Sequence, residues 1–188
     1  MARFKDLWKS LIFILIFLFL LQSVTYIIRT NGQAKDAWTG DRLQSLPPGT
    51  PVFCHFTLNV AEHSGIAIGD RIVHLDGDGR ILASTPCVFL ARLGGSNLAS
   101  NIYYAALGKD KPLAKSEIAI RALEAVGKHR SYHVLADNCH GFSIRCIDGE
   151  SGCLAAWSLR EVENSITSAF GTDEWRWRCW DGWREQTS

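Results

Sequence analysis

The stretch "LIFILIFLFLLQSVTYII", Leu11 to Ile28, carries no charged residue, and its few polar groups cluster late. It is close to the ~20 residues that cross a bilayer core as a helix. A buried helix in a soluble core would need a polar face for water, and this one has none. A signal peptide has a shorter apolar core followed by small residues at its cleavage site. Here "SVTYIIRT" sets bulky residues in that place. Residues 1–30 therefore read as a short cytoplasmic stub and one uncleaved transmembrane anchor. Arg3, Lys5 and Lys9 precede the span, while Arg29 and Lys35 follow it. That balance favours a cytoplasmic N-terminus and a periplasmic or otherwise extracytoplasmic remainder.

The rest of the 188 residues suffices for one folded domain. A net charge of +1 gives no electrostatic reason to expect a nucleic-acid partner. The six cysteines, at 54, 87, 139, 146, 153 and 179, form no CxxC pair and no finger-type zinc spacing. An outward-facing domain permits disulfides, but the pairing is not readable from the sequence.

Residues 31–45 form a polar linker, and "LPPGTPVF" is a turn that launches a first strand at about Val52. "EHSGIAIGDRIVHLDGDGRILAS" reads as three strands joined by two tight turns, and "NIYYAAL" as another strand. "DGDGR", Asp76 to Arg80, resembles the start of a calcium loop. Arg80 stands where an oxygen ligand is needed, so a hairpin turn is expected. "KSEIAIRALEAVGK" predicts a helix with Ser116 as N-cap, Gly127 as stop, and one face made by Ile118, Ala122, Leu123, Ala125 and Val126. "SYHVLA" reads as a short strand or extended arm, after which "DNC" opens a further helix. Strands first and helices clustered around them indicate an α+β domain over 46–150, with a Trp/Arg-rich extension over 151–188.

Two sites carry chemistry. If Gly69-Asp70 is a two-residue turn, Ile68 pairs with Arg71, and Gly65 lies opposite His74. His63, His74 and Asp76 then share one sheet face, with diagonal neighbours ~7–8 Å apart at the backbone. A histidine would stand there beside a second polar group, His74 or Asp76, able to orient it. Cys139 meanwhile occupies the first turn of a helix that Asp137 or Asn138 can cap. Helix N-termini favour a thiolate, and their free N–H groups can receive an oxyanion. A thiol, an imidazole and an orienting group are the parts of thiol acyl transfer.

At this point the residues resemble a family. "LPPGTPVF", "HSGIAIGDRIVHL" (His63 to Leu75) and "VGKHRSYHVLADNCHGF" (Val126 to Phe142) are similar to the lecithin:retinol acyltransferase (LRAT) family. That family belongs to the permuted papain-like cysteine enzymes, alongside the NlpC-type peptidases. The resemblance runs from about Leu46 to Ile147. It implies Cys139 as nucleophile, His63 as general base and His74 as the third polar residue. It also implies lipid esters as acyl donors and no metal or organic cofactor. Where animal members usually read Glu-His after the Asn-Cys pair, this chain has His140 and Gly141, and His140 is expected to face solvent or substrate.

The function read from the chain is a membrane-anchored acyltransferase or acyl hydrolase working through a thioester. Two rivals stand beside it: an NlpC-type amidase or peptidase, and a non-catalytic tethered module retaining the fold. "DEWRWRCWDGWRE" places Trp175, Trp177, Trp180 and Trp183 among arginines. Those rings either pack back on the domain or contact the bilayer interface.

Overall fold

The computed structural model describes residues 43–55, 62–91, 101–130, 138–149, 156 and 158–186. The expected membrane span, most of the linker and the expected arm at 131–137 lie outside them. Among the described residues no helix is long and apolar enough to cross a membrane.

The chain forms an antiparallel sheet flanked by helices. In order the elements are β1 (Leu46–His55), β2 (Glu62–Gly69), β3 (Arg71–Leu75), β4 (Ile81–Ser84), α1 (Pro86–Leu90), β5 (Ile102–Leu107) and β6 (Lys111–Pro112). Then come α2 (Ser116–Ala125), α3 (Cys139–Asp148), α4 (Leu159–Phe170) and β7 (Trp175–Trp180), and a 3-10 turn over Gly182–Gln186 closes the described chain. The sheet order is β4-β3-β2-β1-β5-β6, and β7 pairs with β5. Strand β1 begins at Leu46, six residues before the expected Val52, because Leu46 already pairs with Gly69. The register shifts between Leu46 and Thr50, where Pro47 and Pro48 bring no N–H to a ladder.

Alternation divides the strand residues between two cores. One face carries Phe53, Ile66, Val73, Leu75 and Ala105, covered by Ile118 and Ala122 of α2, Phe142 and Ile144 of α3 and Val162 and Ile166 of α4. The other carries Val52, Cys54, Ala67, Ile72, Ile102 and Tyr104 with Phe89 and Leu90 of α1. The four tryptophans are all buried. Trp175 and Trp177 belong to the first core; Trp180 and Trp183 belong to the second. Of the two readings of these rings, their burial gives packing on the domain, with the Arg184 guanidinium 5.1 Å from the centroid of the Trp183 ring.

Helix α2 ends as expected but departs from expectation at its N-terminus and in part of its buried face. Lys115, not Ser116, is its N-cap residue, and Lys115 makes no side-chain capping bond. Its Nζ instead donates to the Ala169 carbonyl at the end of α4. The buried face is Ile118, Ala119 and Ala122, while Leu123 and Val126 turn outward. The chain leaves through Gly127 at φ +82°, whose N–H goes to Ile81.

Candidate active site

The β2–β3 hairpin has the expected register, Ile66 to Val73, Ala67 to Ile72 and Ile68 to Arg71. Gly69 turns it at φ +66°. That register puts His63 and His74 on one face as diagonal neighbours, and their rings meet: His63 Nε2 lies 3.0 Å from His74 Nδ1. Both side chains are buried, at 4% and 0% exposure. Asp76, the other candidate for orienting His63, is drawn into the turn that follows. Its carboxylate accepts from the N–H groups of Asp78 and Arg80 and from Arg80 Nε.

The chain of contacts continues past His74 to a residue that sequence reasoning missed. His74 Nε2 lies 2.8 Å from the Oγ of Ser84. In the β3–β4 pairing His74 faces Leu82 and Ile72 faces Ser84, so Ser84 is a diagonal neighbour of His74 on the same face. Phe89 closes over the pair. Its ring is tilted on His63 at 4.8 Å and stands edge-on to His74 at 5.2 Å. Thr85 caps α1 and Pro86 opens it, which fixes where Phe89 arrives.

Cys139 is the first residue of α3. Asn138 is the N-cap: its Oδ1 accepts from the Gly141 N–H at 2.9 Å while its Nδ2 donates to the Ala156 carbonyl at 2.7 Å. The thiol lies against the backbone of the residues flanking His63. Its Sγ is 4.0 Å from the Glu62 carbonyl oxygen, the acceptor of its hydrogen bond. Position at a helix end alone would hold the thiol low, but burial outweighs it and pushes Cys139 up to about 11. The backbone N–H groups of Ser64, His140 and Cys139 itself draw it back down. Those donors converge where a thiolate or an oxyanion would gain most from them.

The opposite face of β2 anchors the helix. Ser64 is fully buried, and its Oγ lies 2.9 Å from His140 Nδ1, 2.9 Å from Ser143 Oγ and 3.2 Å from the Cys139 carbonyl oxygen. His140 is therefore not turned to solvent or substrate. Burial holds its imidazole down to about 4, with the Glu161 carboxylate pulling the other way. A helix phase cannot be read from sequence without knowing which strand lies beneath it.

A comparison with family models matches residues 46–152 to the lecithin retinol acyltransferase family. The chain belongs to this family. The matched segment contains His63, His74, Ser84 and Cys139, and it places the domain within the NlpC/P60 papain-like superfamily. LRAT-family members are thiol acyltransferases and hydrolases. Comparisons with curated proteins and with solved structures each found no match.

Proposed function

We propose that this LRAT-family protein is a membrane-anchored acyltransferase or acyl hydrolase that works through a thioester on Cys139, with lipid esters as donors. One observation carries the reading: the imidazoles of His63 on β2 and His74 on β3 meet at 3.0 Å, and the backbone of β2 beside His63 receives the Cys139 thiol. His63 acts as general base and His74 orients it. With Nε2 engaged by His74, His63 exchanges protons with thiol and substrate through Nδ1. The thiol is neutral at pH 7, so its proton must leave as the bond to carbon forms.

In the first half-reaction the S–H proton passes to His63 and sulfur attacks the ester carbonyl. The oxyanion takes N–H donors at the start of α3, and the C–O bond breaks. The leaving alkoxide removes the proton from His63, which gives an alcohol and a Cys139 thioester. In the second, His63 draws a proton from water, an alcohol or an amine, and that group attacks the thioester. The carbon–sulfur bond breaks and the thiol regains its proton. The apolar segment at 11–28 supports placing this site beside a bilayer, with the domain on the extracytoplasmic side.

The test uses the full chain in detergent micelles containing phosphatidylcholine labelled in one acyl chain. Fatty acid release or transfer to an added amine is expected, and both should be lost in Cys139→Ala and His63→Ala. Cleavage of peptide amides with no action on the phospholipid would move the substrate to the NlpC type. A Cys139 inert to both classes would leave the tethered, non-catalytic module.

A further inference from the structure

We infer that Ser84 is a positioning residue for the proposed acyl transfer, the acceptor that lets the His63–His74 pair hold a positive charge. The inference rests on the reading of His63 as the base. When His63 takes the thiol proton, both its ring nitrogens carry hydrogen, and Nε2–H must donate to His74 Nδ1, 3.0 Å away. His74 then has its Nδ1 lone pair occupied and carries its own proton on Nε2. That N–H points at Ser84 Oγ, at 2.8 Å. Should the proton move on to His74, both of its nitrogens again carry hydrogen and Nε2–H still meets Ser84. Either way the charged pair needs an acceptor at that position. A neutral pair has a second arrangement, in which the serine hydroxyl donates to His74 and the pair's shared proton sits on His74 Nδ1. Ser84 serves both states because a hydroxyl can donate or accept, so it can switch roles as charge arrives.

The surroundings hold it there. Ser84 is 7% exposed, His74 and Phe89 are fully buried, and the Phe89 ring packs against both imidazoles. Ser84 ends β4 in register with Ile72, and Thr85 begins the cap of α1 immediately afterwards. The hydroxyl therefore has little freedom to move away. A charge-bearing N–H left without an acceptor in such a place is costly, and hydrogen bonds to charged groups are the strong ones.

The experiment uses the full chain in detergent micelles with its histidines labelled with nitrogen-15. The ring nitrogens of His63 and His74 are titrated in the wild type, Ser84→Ala and Ser84→Thr. The rate of Cys139 alkylation by iodoacetamide at pH 7 is measured alongside. In Ser84→Ala the titration midpoint of the pair should fall by about one pH unit and alkylation should slow about tenfold. Ser84→Thr keeps the hydroxyl and should restore both. If Ser84→Ala titrates and alkylates as the wild type does, the inference is overturned. It is equally overturned if Ser84→Thr folds, by its melting curve, yet behaves like Ser84→Ala. Failure of the underlying reading looks different: alkylation in His63→Ala would match the wild type, while the nitrogen titrations of the Ser84 variants would still decide what Ser84 does.

Discussion

At the residue scale the site divides between the two faces of one strand. His63 reaches the His74–Ser84 side and Ser64 reaches the helix that carries Cys139. The neutral, buried thiol gives a pH prediction. Burial holds the thiol up to about 11, so alkylation of Cys139 should keep rising with pH toward that value in the wild type and in His63→Ala alike, with the wild type the faster near neutrality. His140 supplies a second prediction. An unfolded histidine titrates near 6.5 and the folded His140 near 4, so between these values the unfolded state binds more protons. Stability should therefore fall as pH drops from about 6.5 to about 4, by on the order of 2–3 kcal/mol. Urea titrations at pH 7 and pH 4.5 measure the difference, and His140→Gln should shrink it. The pairing of His63 with His74 was legible because a two-residue turn sets the register of everything beyond it. Ser84 was not, since its place depends on the second hairpin, whose loop at Asp76 to Arg80 does not announce its register.

At the scale of elements, the hairpin and helix α3 fix the geometry. Gly65 sits between the histidines, and a Cβ there would lie 2.8 Å from the Val73 carbonyl oxygen and from Ile72 Cγ2, and 3.1 Å from His74 Cβ. Gly65→Ala must therefore push β3 away from β2, and acyl transfer should drop far more than binding of the same micelles. The helix end is equally exposed to test. Asn138→Ala removes the cap and leaves the Ala156 carbonyl oxygen without its amide donor, so a loss of about 1–2 kcal/mol in denaturant titration is expected. The element types in β2 to β5 and α2 were readable from alternation and helical spacing. The inward side of α2 was legible in part: Ile118, Ala122 and Ala125 meet the core as expected, whereas Ala119 joins them and Leu123 is left half exposed.

At the scale of the whole molecule, the family-matched segment ends at residue 152, yet the sheet draws on residues beyond it. Strand β7 pairs with all of β5, from Ile102 with Trp180 to Leu107 with Trp175. The indole of Trp180 donates to the Leu43 carbonyl, which ties residues flanking the matched segment to each other. A chain ending at residue 152 should lose cooperative thermal unfolding. Trp180→Ala in the full chain should cost about 3–5 kcal/mol in denaturant titration. Sequence alone left these tryptophans between packing and lipid contact, because Trp suits both and only strand pairing distinguishes them. The proposed anchor has its own test at this scale: the full chain should resist alkaline carbonate extraction from membranes, and a chain beginning at residue 31 should not.

A thioester at Cys139 is the bond on which the proposed acyl transfer turns, and it can be trapped. The full chain, in micelles of acyl-labelled phosphatidylcholine, is quenched in acid within seconds and examined by intact-mass spectrometry. One acyl adduct is expected, located on Cys139, removed by hydroxylamine and missing from Cys139→Ala and His63→Ala. An adduct that persists in Cys139→Ala, or lipid turnover by that variant at the wild-type rate, would contradict it.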